Sequence, residues 1–295
     1  MSKNKQAIFL IIISVFFGTL MLTFLKLAQE EVNVYVAGFF RFLFGFLIIL
    51  PYILKSKLTV FKTNHLKKHF FRAVLNLPSM LLYFSALVML PIEKVTAISF
   101  VVPFFVTILA VLFLGEKIYI YRTLALILGF IGMIVILRPG IINISIGVYM
   151  ALASSLMWSV VIIITKSIAK DDSSITILSY GYTIMTILSF IIVLFYWQTP
   201  SLQTLIYLFF AGLSGTLLHL CINHAYKLVD VSMTQPYSFL SLIFASLVGY
   251  YVFSETPDLL TWIGASIIFL GVFIMSYREM KLDKEITRKR LDIKS

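Results

Sequence analysis

Arg41 is the residue most able to do chemistry, because it is a lone cation inside a long apolar run from Val34 to Leu54. Placing a charge at the centre of a bilayer costs about 2.5–3.5 kcal/mol or more, so such a residue needs a reason. A guanidinium there suits a carboxylate, a phosphate or another anionic group. The competing role is an arginine that reaches to the interface or ties helices together through backbone carbonyls. His219 and His224 share one apolar run with Asn223 between them, and histidine titrates near neutral pH, so they can relay protons or hydrogen-bond between helices. Their i,i+5 spacing puts them on different helix faces, which is poor for a two-ligand metal site. Tyr83, Trp158, Tyr180, Tyr182 and Tyr237 offer rings to a planar or cationic substrate, or simply pack. Ser99, Ser155, Ser159, Gln235, Ser238 and Ser241 can add hydrogen bonds in a wet cavity. Pro103 and Pro236 interrupt two runs and suit a bending gate or exposed carbonyls. Glu116 and Glu255 end those runs and suit either gating or capping the N-terminus of the next helix.

No enzyme chemistry is visible. All 13 Asp and Glu fall in loops, tails or helix ends, so no carboxylate pair lies mid-run. The single cysteine, Cys221, lacks both a disulfide partner and metal-ligand spacing. There is no phosphate-binding glycine loop, no catalytic residue set, no metal site and no cofactor is expected. A membrane-embedded enzyme, a receptor or an assembly factor remain the non-transport alternatives.

The elements that position these residues follow from composition. The chain has 295 residues, 60% of them hydrophobic and 13% charged. Its mean hydropathy is +1.01. Soluble domains hold roughly 45–50% apolar residues, so lipid must cover much of this surface. Ten runs approach the spanning length: 6–25, 34–54, 71–90, 95–114, 121–138, 145–165, 174–196, 204–224, 232–253 and 260–277. The first is too long for a signal core and reads as a retained helix. The runs do not alternate apolar and polar residues, which argues against a membrane barrel. With the N-terminus inside, twenty of the 24 Lys and Arg fall in inner loops and tails. Three (Lys26, Lys94 and Arg138) fall outside, and Arg41 lies within a helix. This asymmetry predicts that both termini are cytoplasmic. The net charge of +11 therefore reflects topology and not nucleic-acid binding. The basic stretch Lys55 to Arg72 can also meet anionic lipid headgroups.

The second half echoes the first at an offset of 139 residues. That offset pairs Glu116 with Glu255, Ser99 with Ser238, Phe100 with Phe239, Ala86 with Ala225 and Gly132 with Gly271. Five helices per repeat, an odd number, would place the two copies in opposite orientations, a recurring plan for alternating-access carriers. The expected fold is an all-α membrane protein of ten transmembrane helices in two inverted five-helix repeats. The expected domains are 1–140, 141–278 and a basic tail, 279–295.

Several stretches carry a family resemblance. They are Phe39-Phe40-Arg41-Phe42, Phe84-Ser85-Ala86-Leu87 to Pro91, Ser99-Phe100-Val101-Val102-Pro103 and Leu112-Phe113-Leu114-Gly115-Glu116. Gly129-Phe130-Ile131-Gly132, Gln235-Pro236-Tyr237 and Phe253-Ser254-Glu255 continue them. In their order and spacing the chain resembles the drug/metabolite transporter superfamily, specifically proteins with two EamA domains. The resemblance implies a ten-helix basket with a central cavity in the cell (inner) membrane, a small-molecule metabolite as cargo and a monomer or homodimer. The chain is most similar to the uptake branch that includes S-adenosylmethionine carriers, and riboflavin carriers are also similar. Relatives in that branch often carry Arg and Glu in the ninth-helix motif, where this chain has Ser238 and Ser241. Export of amino acids or other metabolites is the alternative direction. The residues expected to touch substrate are Arg41, Tyr83, Ser99, Trp158, Tyr180, His219, Gln235, Tyr237 and Ser238. Pro103, Pro236, Glu116 and Glu255 are expected to gate or brace.

Overall fold

A backbone that crosses hydrocarbon must satisfy its own hydrogen bonds, and long apolar runs do so as helices. A computed structural model describes residues 3–90, 92–99, 101–117, 119–137, 145–253, 259–260, 262–264, 266–274 and 277–278. Among these residues every regular element is helical. In chain order they are α1 (Lys3–Ala28), α2 (Val34–Lys55), α3 (Leu66–Met89), α4 (Ile92–Ile98), α5 (Val101–Leu114) and α6 (Ile120–Leu137). Then follow α7 (Ile146–Ile168), α8 (Ser174–Val193), α9 (Leu202–Leu228), α10 (Val231–Thr234) and α11 (Leu240–Phe253), with 3₁₀ turns at Thr59–Phe61 and Gln235–Phe239. Among the described residues seven stretches are long and apolar enough to cross a membrane: α1, α2, α3, α7, α8, α9 and Val231–Val252. Val101–Leu114, Ile120–Val135 and Trp262–Ile274 are shorter apolar helices. These ten fall on the ten predicted runs.

Three departures from the sequence reading matter. The predicted run 95–114 is broken into α4 and α5, where the N–H of Val102 reaches back to the carbonyl of Ser99 (2.9 Å) just before Pro103. The run 232–253 is broken likewise, by the 3₁₀ turn around Pro236. Proline lacks the N–H needed to continue the ladder. Third, α3 begins at Leu66 and not at residue 71, so His69 and Arg72 belong to a helix and not to a loop. Arg41 is therefore not the only cation within a helix: Arg122 on α6 and Lys166 on α7 are also buried.

Local signals set the helix starts. The Asn33 side chain accepts hydrogen bonds from the N–H groups of Tyr35 (3.1 Å) and Val36 (3.0 Å) and so caps α2. Ser173 and Ser201 cap α8 and α9 in the same way. In the bundle α1 runs along α9, and α3 along α7. α2 lies against α8 and α9, α5 packs on α7, and α11 touches both α1 and α4. Large apolar side chains such as Phe9, Phe105, Ile191 and Phe195 face outward, as a lipid-facing surface requires.

The α2–α9 contact depends on Gly212. A β-carbon there would lie 2.8 Å from Cβ of Phe44 and 3.1 Å from both the Arg41 carbonyl oxygen and the Gly45 nitrogen. Backbone atoms cannot move aside cheaply, and overpacking costs about 1–3 kcal/mol. Gly212→Val is expected to lower the melting temperature of the purified protein and broaden its gel-filtration peak.

Candidate functional site

The two broken helices meet at the centre of the bundle. Together with α1, α2, α3, α7 and α9 they enclose a cavity of about 330 Å³. Its wall includes Arg41, Tyr83, Ser99, Pro103, Trp158, His219, Gln235 and Ser238. The break positions matter because they release backbone groups and place short polar side chains on the cavity face.

Arg41 is 5% exposed, yet its partners are weak. Its Nε and Nη2 donate to the thioether of Met21 (3.3 and 3.2 Å), and Nη2 lies 3.3 Å from Nε2 of His219. The guanidinium carbon stands 4.2 Å from the centre of the Phe42 ring. Among the described residues no ion pair includes Arg41. A thioether is a poor acceptor and an imidazole carries no negative charge, so the cation is held but not neutralised. Gly215 makes room for this arrangement, since a β-carbon there would lie 3.1 Å from both Nη2 of Arg41 and the Met21 sulfur.

Several hydroxyls of the cavity wall have a common orientation. Ser99 donates to the Val95 carbonyl (2.8 Å), Thr96 to Ile92 (2.7 Å) and Ser155 to Ala151 (2.7 Å). Ser238 donates to Gln235 (2.6 Å) and Ser241 to Ser238 (2.7 Å). Each proton is thus turned to the residue's own helix, which leaves the oxygen lone pairs for the cavity. The wall therefore combines one strong donor cluster, at Arg41, with several acceptors. Trp158 and Tyr83 add ring surface, and no Asp or Glu lines the cavity among the described residues.

Not every predicted residue joins this site. Tyr180 donates to the carbonyl of Phe61 (2.6 Å) and stacks on His69 with ring centres 4.4 Å apart, away from the cavity. Tyr237 is fully buried in a packed cluster with Ile11, Ala125 and Met233. The ring of Tyr182 is buried between α2 and α9, its hydroxyl bonded to Thr216 (3.2 Å). His224 is exposed, and Ser159 bonds within its own helix. Pro103 lines the cavity and Pro236 lies buried in the 3₁₀ turn. Glu255 and the tail 279–295 lie outside the described residues.

Glu116 braces a different helix from the one expected. Gly115, at φ +66°, ends α5, a left-handed turn that glycine adopts without cost. The Glu116 carboxylate then accepts hydrogen bonds from Val231 N–H and Ser232 N–H (both 2.9 Å), at the start of α10 and not of α6. Lys166 donates to the carbonyls of Tyr226 and Val229 (both 2.6 Å) at the end of α9. Arg122 reaches Asp230 (3.2 Å) and Ser232 (3.0 Å). Four charges so fasten the α9–α10 corner, a few residues from the cavity wall at Thr234 and Gln235.

The same end of the bundle is closed by Asp171 and Asp172. Asp172 accepts from Thr63 (2.7 Å) and pairs with His69 (2.8 Å), and Asp171 pairs with His65 (2.7 Å). At the opposite end Glu31 accepts from the N–H (2.7 Å) and hydroxyl (2.6 Å) of Ser201 and from the hydroxyl of Thr204. The Ser201 and Thr204 hydroxyls and the Ser201 N–H hold the Glu31 carboxyl below the usual carboxylate range. A folded value below the unfolded one stabilises the fold above the unfolded pKa, and that contribution is lost as pH falls toward the lowered one. The gap in melting temperature between the unmodified protein and Glu31→Gln is therefore expected to be larger at pH 7 than at pH 4.

Comparison with known proteins agrees with this architecture. The profile described as "EamA-like transporter family" matches residues 5–138 and again 145–277. An S-adenosylmethionine uptake transporter of Rickettsia felis is 32% identical over 256 residues, 87% of each chain. One from Rickettsia prowazekii is 29% identical over the same length. A riboflavin transporter of Vibrio cholerae is 29% identical over 247 residues, 82% of each chain. A solved crystal structure superposes with a TM-score of 0.74 over 92% of this chain and 98% of its own at 16% identity, a likeness of fold alone. With two matches to one transporter family over nearly its whole length, this multi-pass membrane protein belongs to the EamA-like transporter family.

Proposed function

We propose that the chain is a secondary carrier that takes up a zwitterionic metabolite, S-adenosylmethionine or a close chemical relative, across the inner membrane. The observation that carries this reading is the uncompensated Arg41 in a largely apolar cavity that also presents hydroxyl oxygens and aromatic rings. A substrate carboxylate supplies the charge that Arg41 lacks. An ammonium group finds the lone pairs of Ser99, Ser155 and Ser238, and a cationic or planar portion finds Trp158 and Tyr83. The uptake transporters of Rickettsia, similar over 87% of the chain, agree with that cargo.

The arrangement of the helices supports transport by alternating access. Exchanging the first five spans with the last five carries the α1–α9 contact onto α7–α3, and the α2–α8 contact onto itself. This supports two inverted repeats, residues 1–140 and 141–278, and the distribution of Lys and Arg supports cytoplasmic termini. The broken helices then face each other across the pseudo-twofold axis. A carrier of this plan opens by moving α3, α4–α5, α9 and α10–α11 against the rest, which requires the Glu116–Lys166 corner and the Asp172 cluster at one end to release in alternation with the Glu31–Ser201 cluster at the other. A cationic cargo gains about 2.3 kcal/mol per charge per 100 mV of membrane potential, enough for entry without a coupled proton.

The test is a competition panel in cells that express the protein. Labelled S-adenosylmethionine should enter and be displaced by unlabelled S-adenosylmethionine, but not by riboflavin. Displacement by riboflavin and not by S-adenosylmethionine would reassign the cargo.

A further inference from the structure

A second, smaller cavity of about 50 Å³ lies next to the first, toward the end that carries the connection between α2 and α3. Asn76, Trp158 and His219 line both cavities, as do Phe42, Ile162, Ile222 and Tyr226, so a single layer of side chains divides them. Arg72 forms its far wall. Its Nη2 donates to the carbonyl of Ile177 (2.8 Å) and its Nη1 to the hydroxyl of Thr165 (3.3 Å). Five N–H donors are available on a guanidinium, so these two neutral acceptors leave spare capacity. Among the described residues no ion pair includes Arg72. Asp172, at the same end, is occupied by Thr63 and His69.

The rest of this wall is also set up to donate. Asn223 is 3% exposed and lines the cavity, as does Asn76. Neither side-chain amide forms a hydrogen bond among the described residues. Gly181 keeps the floor open, since a β-carbon there would lie 2.8 Å from Nη2 of Arg72. A space of about 50 Å³ exceeds the share of liquid volume held by one water, about 30 Å³, and suits a carboxylate group but not a whole metabolite.

We infer that Arg72, with Asn76 and Asn223, forms a second anion subsite that receives the carboxylate of the substrate after it leaves Arg41 on the way through the protein. This rests on the reading of Arg41 as the first carboxylate site. Two cations in series, divided by the His219 and Trp158 side chains, give the anionic group a place to go that is not bare hydrocarbon. The same logic makes Arg72 a specificity residue, since a group without negative charge gains nothing from it.

Acetate is the probe that fits both subsites. In purified protein at constant ionic strength, acetate in place of chloride should raise the melting temperature in a concentration-dependent way. Arg41→Ala should keep part of that rise, Arg72→Gln should keep the other part, and the double variant should lose it. Arg72→Lys should retain most of the response, which guards against a merely misfolded variant. An acetate response unchanged by Arg72→Gln, or the absence of any response in the unmodified protein, overturns the inner subsite. A response unchanged by Arg41→Ala but lost in Arg72→Gln overturns the Arg41 reading and leaves the inner subsite standing. In transport, Arg72→Gln should slow S-adenosylmethionine about tenfold more than its decarboxylated analogue. Equal slowing of both would mean that Arg72 only braces α3 against α8.

Discussion

Arg41→Ala is expected to reduce uptake of S-adenosylmethionine by about 100-fold or more while leaving the protein in the membrane at normal abundance. Truncating one partner of a buried charge pair costs about 2–5 kcal/mol, and 1.4 kcal/mol is a factor of ten. The fold should tolerate the change better than transport does, because Arg41 holds only a thioether, an imidazole and a ring face. Removing an unpaired buried cation relieves a desolvation cost. Arg41→Lys keeps the charge but loses the planar fork that grips both carboxylate oxygens, so a loss of about tenfold is expected. The check is initial uptake rate normalised to protein in the membrane. A proportional fall in abundance would make Arg41 a structural residue.

Glu116→Ala is expected to destabilise the protein by about 2–4 kcal/mol and to slow transport more than substrate binding. The variant strips two N–H groups at the start of α10 of their acceptor. Each buried donor left without a partner costs about 1–3 kcal/mol, and the partial burial of these bonds puts the expected cost toward the lower part of the combined range. It also leaves Lys166 and Arg122 with Asp230 as the remaining acid of the corner. Adding Lys166→Met to Glu116→Ala should recover part of the loss, because neighbouring charges do not act additively. Melting temperatures of the two single variants and the double variant close this cycle. Strict additivity would show that Glu116 and Lys166 do not share a corner.

How much of this was legible in the chain depends on contrast. Arg41 stands out because it is charged amid apolar residues, and the cavity does include it. Arg72 was hidden by Lys67, Lys68 and His69, which read as a cytoplasmic loop, and α3 begins without a side-chain cap at His65 to mark its start. Proline at 103 and 236 gave the helix breaks correctly in place, although not the extra 3₁₀ turn that follows Thr234. The aromatic residues were less readable. The spans are apolar on nearly every face, so periodicity does not separate a cavity ring such as Trp158 from a packed one such as Tyr237. Only the tertiary contacts make that distinction. Glu116 was recognised as a brace from its place after a helix, but its partner is more than a hundred residues away, a pairing that no local signal carries. The motif stretches anticipated the family, which the two profile matches establish.

The central claim is that a carboxylate-bearing metabolite crosses through the Arg41 cavity by alternating access. Counterflow in proteoliposomes tests it most directly. Vesicles loaded with unlabelled S-adenosylmethionine and diluted into a trace of label should accumulate the label transiently above equilibrium, and Arg41→Ala vesicles should not. Label that never exceeds the level in protein-free vesicles, or an overshoot undiminished in Arg41→Ala, would contradict it.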